Sequence, residues 1–304
     1  MPRLIARYIL EMLVIVLGVS TVVFFALRAT GDPAAVVAGP NATSDQVAAL
    51  RVQLGLADPL ATQYRRFLGD LVQLRFGDSL VTQVPAIRLV QEAFVPSLVL
   101  VGASMLVCVV VAVPLGVLAA MRRHTPVDGL VRLVVLLGQS MPPYWLGLLL
   151  IMAFAVKLRL VPSFGYGSPL HLVLPVITLS MFLLAKLVRL ARANMLEVLG
   201  HDFIRTARSK GLPERTVMFK HAFRNALVPV LVIAAVDFGQ LFGGAVIVET
   251  IFSWPGLGQR LVQSVMSRDF PVIQATVVCI ALIVTISNTL ADVATRLVDP
   301  RARS

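Results

Sequence analysis

An all-α polytopic membrane protein is the fold class this chain predicts, and three observations carry the expectation. Hydrophobic residues make up 58% of the 304 positions against 14% charged, which is too apolar for an ordinary soluble domain. About six apolar segments can each cross a hydrocarbon core of roughly 30 Å, which takes about 20 helical residues. The net charge of +11 gathers in the segments between them, so it reads as the Lys and Arg excess that orients membrane helices rather than as a nucleic-acid surface.

The first span is expected at Tyr8–Leu27. A cleaved signal peptide would share its basic start at Arg3 and Arg7, but the apolar run is too long for a signal core and five more spans follow. The long loop Arg28–Phe94 has helix punctuation. Ser44 can cap a helix to about Leu54 with Gly55 as its stop, and Asp58-Pro59 reads as a cap followed by proline at the first helical position. Leu60, Tyr64, Phe67, Leu68 and Leu71 then recur at helical spacing, as a stripe that packs on the bundle, and Gly77 closes the segment.

The second span is expected at Val95–Ala120 and the third at Leu130–Val156, interrupted by Pro142-Pro143 beside Gln139 and Ser140. Broken helices can mark translocation paths, and proline kinks can also serve packing alone. The fourth span, Leu172–Leu190, is trimmed by Pro175 and continues inward through Lys186, Arg189 and Arg192, whose stems can snorkel to the interface.

Between Gly200 and the fifth span lies a basic loop. Asp202 reads as the N-cap of a two-turn helix Phe203–Lys210, Gly211 as its C′ residue, and Pro213 as the opening of the next helix. Phe203, Ile204, Ala207 and Gly211 make a small apolar stripe suited to another protein's groove, with Arg205 and Arg208 beside it for acidic or carbonyl partners.

The fifth span, Leu227–Val248, is interrupted by Pro229 and Asp237, with Gln240 and Gly244 on roughly the face of Asp237. An acid at this depth is costly, and two readings stand: a pore-facing carboxylate that senses a substrate ammonium, or a buried acid bonded to a partner subunit. Gly239, Gly243 and Gly244 suit close helix packing. Ser253–Gly258 is a turn before a short helix Gln259–Met266, Trp254 reads as an interfacial anchor, and Pro271–Ala291 is the sixth span.

Orientation follows from the basic residues. With the N-terminus inside, the cytoplasmic side holds Arg3, Arg7, Arg122, Arg123, the nine Lys and Arg from Lys186 to Arg224, and Arg296, Arg301 and Arg303. The short outside loops hold Lys157, Arg159, Arg260 and Arg268, so both termini are expected in the cytoplasm.

These residues together resemble the inner-membrane permease subunits of binding-protein-dependent ABC importers, in the dipeptide/oligopeptide branch. The basic loop is similar to that family's coupling motif, with Ala207 at its second alanine and Gly211 at its glycine, followed by Lys220-His221. Arg205 stands where many members have Glu, and Phe223-Arg224 where many have Leu-Pro. Thr30-Gly31-Asp32-Pro33, Leu54-Gly55-Leu56 with Asp58-Pro59, Gly77-Asp78-Ser79, Ser140-Met141-Pro142 with Trp145-Leu146-Gly147, and Glu249 to Gly258 extend the likeness over most of the chain. The order of these motifs, more than any one of them, makes the match specific.

The resemblance implies a first transmembrane helix (1–28), an external helical loop (29–94) and a five-helix transmembrane domain (95–304) with a cytoplasmic coupling loop (191–226). It implies coupling to ATPases through Asp202, Phe203, Ile204, Arg205, Ala207, Arg208 and Gly211, and a bacterial inner-membrane location. Implied partners are a second homologous permease, two ATPase subunits that hold ATP and Mg, an external substrate-binding protein and membrane lipid. Candidate translocation-path residues are Asp237, Gln240, Gln139 and Ser140.

The chemistry of the chain agrees. Its lysines are Lys157, Lys186, Lys210 and Lys220, and none follows a glycine, so no P-loop can form. No HExxH, GxSxG or clustered Cys/His pattern suggests an enzyme or a metal, and Cys108 and Cys279 read as buried thiols. A stand-alone secondary transporter or channel is the alternative, against which stand the lack of an internal repeat and the few mid-span charges. A membrane-anchored sensor would use the same basic loop for signalling.

Overall fold

The computed structural model describes residues 2–39 and 42–298; Arg301, Arg303 and the side chain of Arg3 lie outside the described residues. In chain order the helices are α1 (Pro2–Thr30), α2 (Pro33–Ala38), α3 (Ser44–Gln53), α4 (Leu60–Val72), α5 (Ala86–Met121), α6 (Pro126–Ser140) and α7 (Pro143–Leu150, continued by π-helical Ile151–Lys157). They continue with α8 (Pro169–Leu199), α9 (Asp202–Ser209), α10 (Glu214–Thr216, continued by π-helical Val217–Ala222), α11 (Phe223–Ile251), α12 (Leu257–Met266) and α13 (Phe270–Val298). Among the described residues the β structure is an isolated Asp78–Pro85 bridge. The fold is all-α, as expected.

Among the described residues, five helices are long and apolar enough to cross a membrane, and α6 with α7 makes a sixth span if the pair is counted as one. Pro175 and Pro229 lie inside continuous helices, so neither trims its span as the sequence suggested. Neighbouring helices can re-satisfy a backbone group freed by an intramembrane proline. Pro142-Pro143 acts differently. Each proline drives the residue before it out of the helical region, and Met141 (ψ 126°) and Pro142 (ψ 138°) are both extended. The axis turns by 105°, and α7 restarts with Pro143 at its first position and Trp145 N donating to Pro142 O at 3.0 Å.

The chain divides into two compact units. The first comprises Met1–Ser97 and Pro255–Ile286. In it the stripe on α4 is covered: Phe24 of α1 lies 5.2 Å from Tyr64 and 5.1 Å from Phe67, and Leu71 is buried. Leu60 of that stripe is exposed. Thr43, one residue before the expected Ser44, caps α3 in a reciprocal capping box with Gln46. The Asp–Pro cap expected at Asp58-Pro59 occurs instead at Asp32-Pro33, where Asp32 Oδ1 accepts from Ala34 N at 3.1 Å, while Asp58 pairs with Arg66. Buried Asp269 accepts from Ser79 Oγ and from Leu80 N, which ties the loop after α4 to the start of α13.

The second unit comprises Leu98–Trp254 and Ser287–Ser304. Within it α8 packs against α6, α7 and α11. The closest approach at a glycine within this unit is on α5, at Gly116. A Cβ on Gly116 of α5 would stand 2.6 Å from Ala191 Cβ and 2.7 Å from the Val188 carbonyl oxygen of α8. By contrast, Gly243 has nothing within 4 Å of such an atom and Gly244 only an ordinary contact with Leu179. Trp254 is not an interfacial anchor here: it is 2% exposed, with Tyr166 edge-on at 4.8 Å.

Candidate functional site

Two places in the second unit gather the residues singled out from the sequence. The first is a cavity of about 500 Å³ at the α6–α7 break, and it brings together all four path candidates, Gln139, Ser140, Asp237 and Gln240. The proline break supplies one wall, α8 a second through Thr178, Phe182, Lys186 and Arg189, and α11 the third.

Sequence reasoning missed the role of the basic residues on α8. Lys186, Arg189 and Arg192 each have a partner inside the unit. Lys186 Nζ stands 2.8 Å from Asp237 Oδ1 and 2.7 Å from Oδ2. Arg189 Nη1 donates to Gln139 Oε1 at 2.5 Å. Arg192 grips Asp128 through Nε–Oδ1 and Nη2–Oδ2, both at 2.9 Å. The spacing of three carried the signal, because residues three apart on a helix lie on neighbouring turns of one face. Asp237 is 2% exposed and pairs within its own chain, while Lys186 keeps half of its side chain exposed.

The second place is the loop after α8. Gly200 is the C-cap of α8, as expected of a stop. His201, not Asp202, is the N-cap of α9; Asp202 opens the helix and meets Arg205 at 3.5 Å. At the other end Leu212 N donates to Ala207 O and Gly211 N to Arg208 O, the paired bonds of a Schellman motif. The motif places its C′ residue in the left-handed region, and Gly211 has φ +74°.

Burial corrects the expected partner-facing stripe. Ile204 is fully buried, and Ala207 nearly so, as α9 packs on the π-helical stretch that buries Val217, Met218 and Ala222. Those two residues hold the helix to its own chain. Asp202, Phe203 and Arg205 face outward, Phe203 with 43% of its surface exposed. Arg208 is engaged as well, donating from Nη2 to Glu214 Oε1 at 2.6 Å and from Nε to Oε2 at 3.2 Å. The hydrogen bond with Glu214 raises the Arg208 pKa above its ordinary value and clamps α9 to α10.

A family model described as "Binding-protein-dependent transport system inner membrane component" matches residues 112–304, and its N-terminal counterpart matches residues 1–89. The chain belongs to this permease family. Among its relatives, the "Probable peptide ABC transporter permease protein y4tP" of Sinorhizobium fredii (strain NBRC 101917 / NGR234) is 40% identical, across 97% of this chain and 99% of the relative. The "Glutathione transport system permease protein GsiC" of Escherichia coli (strain K12) is 39% identical across 94% of each chain. The GsiC of Salmonella paratyphi A (strain ATCC 9150 / SARB42) is 37% identical across 100% of this chain and 99% of its own. As a permease subunit of a binding-protein-dependent ABC importer, the chain works with ATPase and substrate-binding partners at a membrane. That membership disfavours the stand-alone transporter or channel.

Proposed function

We propose that the chain forms half of the importer's translocation pathway beside a second, similar permease, and that the solute is a peptide or a similar small molecule such as glutathione. The observation that carries this reading is the convergence of Gln139, Ser140, Asp237 and Gln240 on one cavity at a broken helix. Polar groups and irregular backbone at membrane depth are tolerated where they line a path. The names of the peptide and glutathione relatives support the solute class.

On this reading ATP and Mg sit on two separate ATPase subunits, and the permease has no catalytic site of its own. Closure of those subunits reaches the bundle through α9: Asp202, Phe203 and Arg205 make the contact, Ile204 and Ala207 root it, and Arg208 and Gly211 fix its exit. The movement is a rigid-body shift that biases an inward- or outward-open bundle. Residues 1–28 belong to the first membrane helix and 29–94 to an external segment that ends within the first turns of α5. Residues 95–304 form the transmembrane domain with its coupling loop at 191–226, and both termini lie in the cytoplasm of a bacterium.

The test begins with the cognate external binding protein, whose bound ligand is identified by mass spectrometry. Proteoliposomes holding the full importer should then accumulate that ligand only with ATP inside the ATPase compartment. Accumulation driven by an ion gradient, with the ATPases omitted, would contradict the proposal.

A further inference from the structure

The cavity at the α6–α7 break is cationic, and we infer that it recognises a free carboxylate on the transported solute, with Arg189 as the residue that selects it. The inference rests on the reading of this cavity as the translocation path. The charged side chains that line it are Lys186, Arg189 and Asp237. Lys186 and Asp237 neutralise one another at 2.7 Å, and the acid is 2% exposed. What remains is one positive charge, on the exposed guanidinium of Arg189.

The surroundings of Arg189 fit that charge to an anion. Its partner in the cavity is a neutral amide, Gln139, which accepts through Oε1. A guanidinium presents five donors in a planar fork, so one bond to an amide leaves a pair free for bidentate binding of a carboxylate. The Nε2 hydrogens of Gln139 and the amide of Gln240 add neutral donors on the same lining. Ser140 is committed elsewhere, donating to Leu136 O at 2.8 Å. Asp237 is thus not the recognition group for a substrate ammonium; it fixes Lys186, and the polarity of the cavity is the reverse of the one its carboxylate suggests in the sequence.

The experiment uses the full importer in proteoliposomes with its binding protein, and compares a dipeptide bearing a free C-terminal carboxylate with its C-terminal amide. The affinity of each for the binding protein is measured first, so that uptake is compared at equal saturation. The wild type should favour the carboxylate by about tenfold or more, the worth of a charge-assisted hydrogen bond. Arg189→Gln should bring that ratio to near unity by lowering uptake of the carboxylate form while uptake of the amide form holds. Arg189→Lys, which keeps the charge, should restore a preference. A ratio in Arg189→Gln equal to that of the wild type, or an equal fall for both forms with no rescue by Arg189→Lys, overturns the proposal. Blocking the cavity with Gln240→Trp tests the underlying reading separately: undiminished uptake in that variant removes the path, and the selectivity claim with it.

Discussion

Arg192 on α8 lies across Asp128 on α6 in a two-pronged ion pair, with both N–O distances at 2.9 Å. Arg132, one turn along α6, approaches the same carboxylate at 3.3 Å. A single buried acid therefore gathers two arginines and fastens the start of α6 to α8, the helix that also carries the cavity's two basic residues. Asp128→Asn should lower the thermal transition of the detergent-purified importer, and adding Arg192→Gln should recover part of the loss. A single mutant as stable as the wild type would show that the pair does not hold α6.

Lys186 and Asp237 make the second such connection, between α8 and α11. Removing one partner of a buried pair strands the other, whereas replacing both with apolar residues is often near neutral. Lys186→Met should cost about 3 kcal/mol of stability, and Lys186→Met with Asp237→Leu should be closer to the wild type than either single change. Chemical unfolding of the four proteins in one detergent checks the cycle, and additive losses would refute the coupling.

Gly116 faces the α8 backbone with no room for a side chain. Because the Val188 carbonyl cannot rotate away as a side chain can, Gly116→Ala should destabilise the protein by about 1–3 kcal/mol. Gly243→Ala, with nothing near its added atom within the chain, serves as the control. Equal thermal transitions for the two variants would remove the close-approach argument.

Gly211 tests shape rather than charge. A residue with a branched side chain is penalised by about 1–2 kcal/mol in the left-handed region, while asparagine tolerates it. Gly211→Val should uncouple ATP hydrolysis from uptake with membrane insertion intact, and Gly211→Asn should retain most uptake. The ratio of solute accumulated to ATP hydrolysed gives the answer; indistinguishable ratios would count against a role for the α9 exit.

Much of this was legible in the chain because it is local. The apolar runs locate the spans, Pro142-Pro143 locates the break, and Gly211 marks the left-handed exit of α9. The misses share a different cause. Whether Ile204 or Phe203 faces a partner depends on which side of α9 the Val217–Ala222 stretch covers, and that contact is tertiary. Lys186, Arg189 and Arg192 show a three-residue spacing in the sequence, but nothing local identifies Asp237, Gln139 and Asp128, up to 64 positions away, as their partners. Trp254 has an interfacial composition, and only its packing on Tyr166 reveals it as a buried residue.

The coupling role assigned to the outward face of α9 can be measured most directly by co-purification. Phe203→Ala with Arg205→Ala alters only exposed side chains, so the permease should still insert and purify with its native thermal transition. This variant should lose its ATPase subunits and its ATP-driven uptake together, while Leu130→Ala, a change at an exposed residue of α6, should lose neither. Retention of the ATPases at wild-type stoichiometry, with uptake unimpaired, would contradict the coupling role.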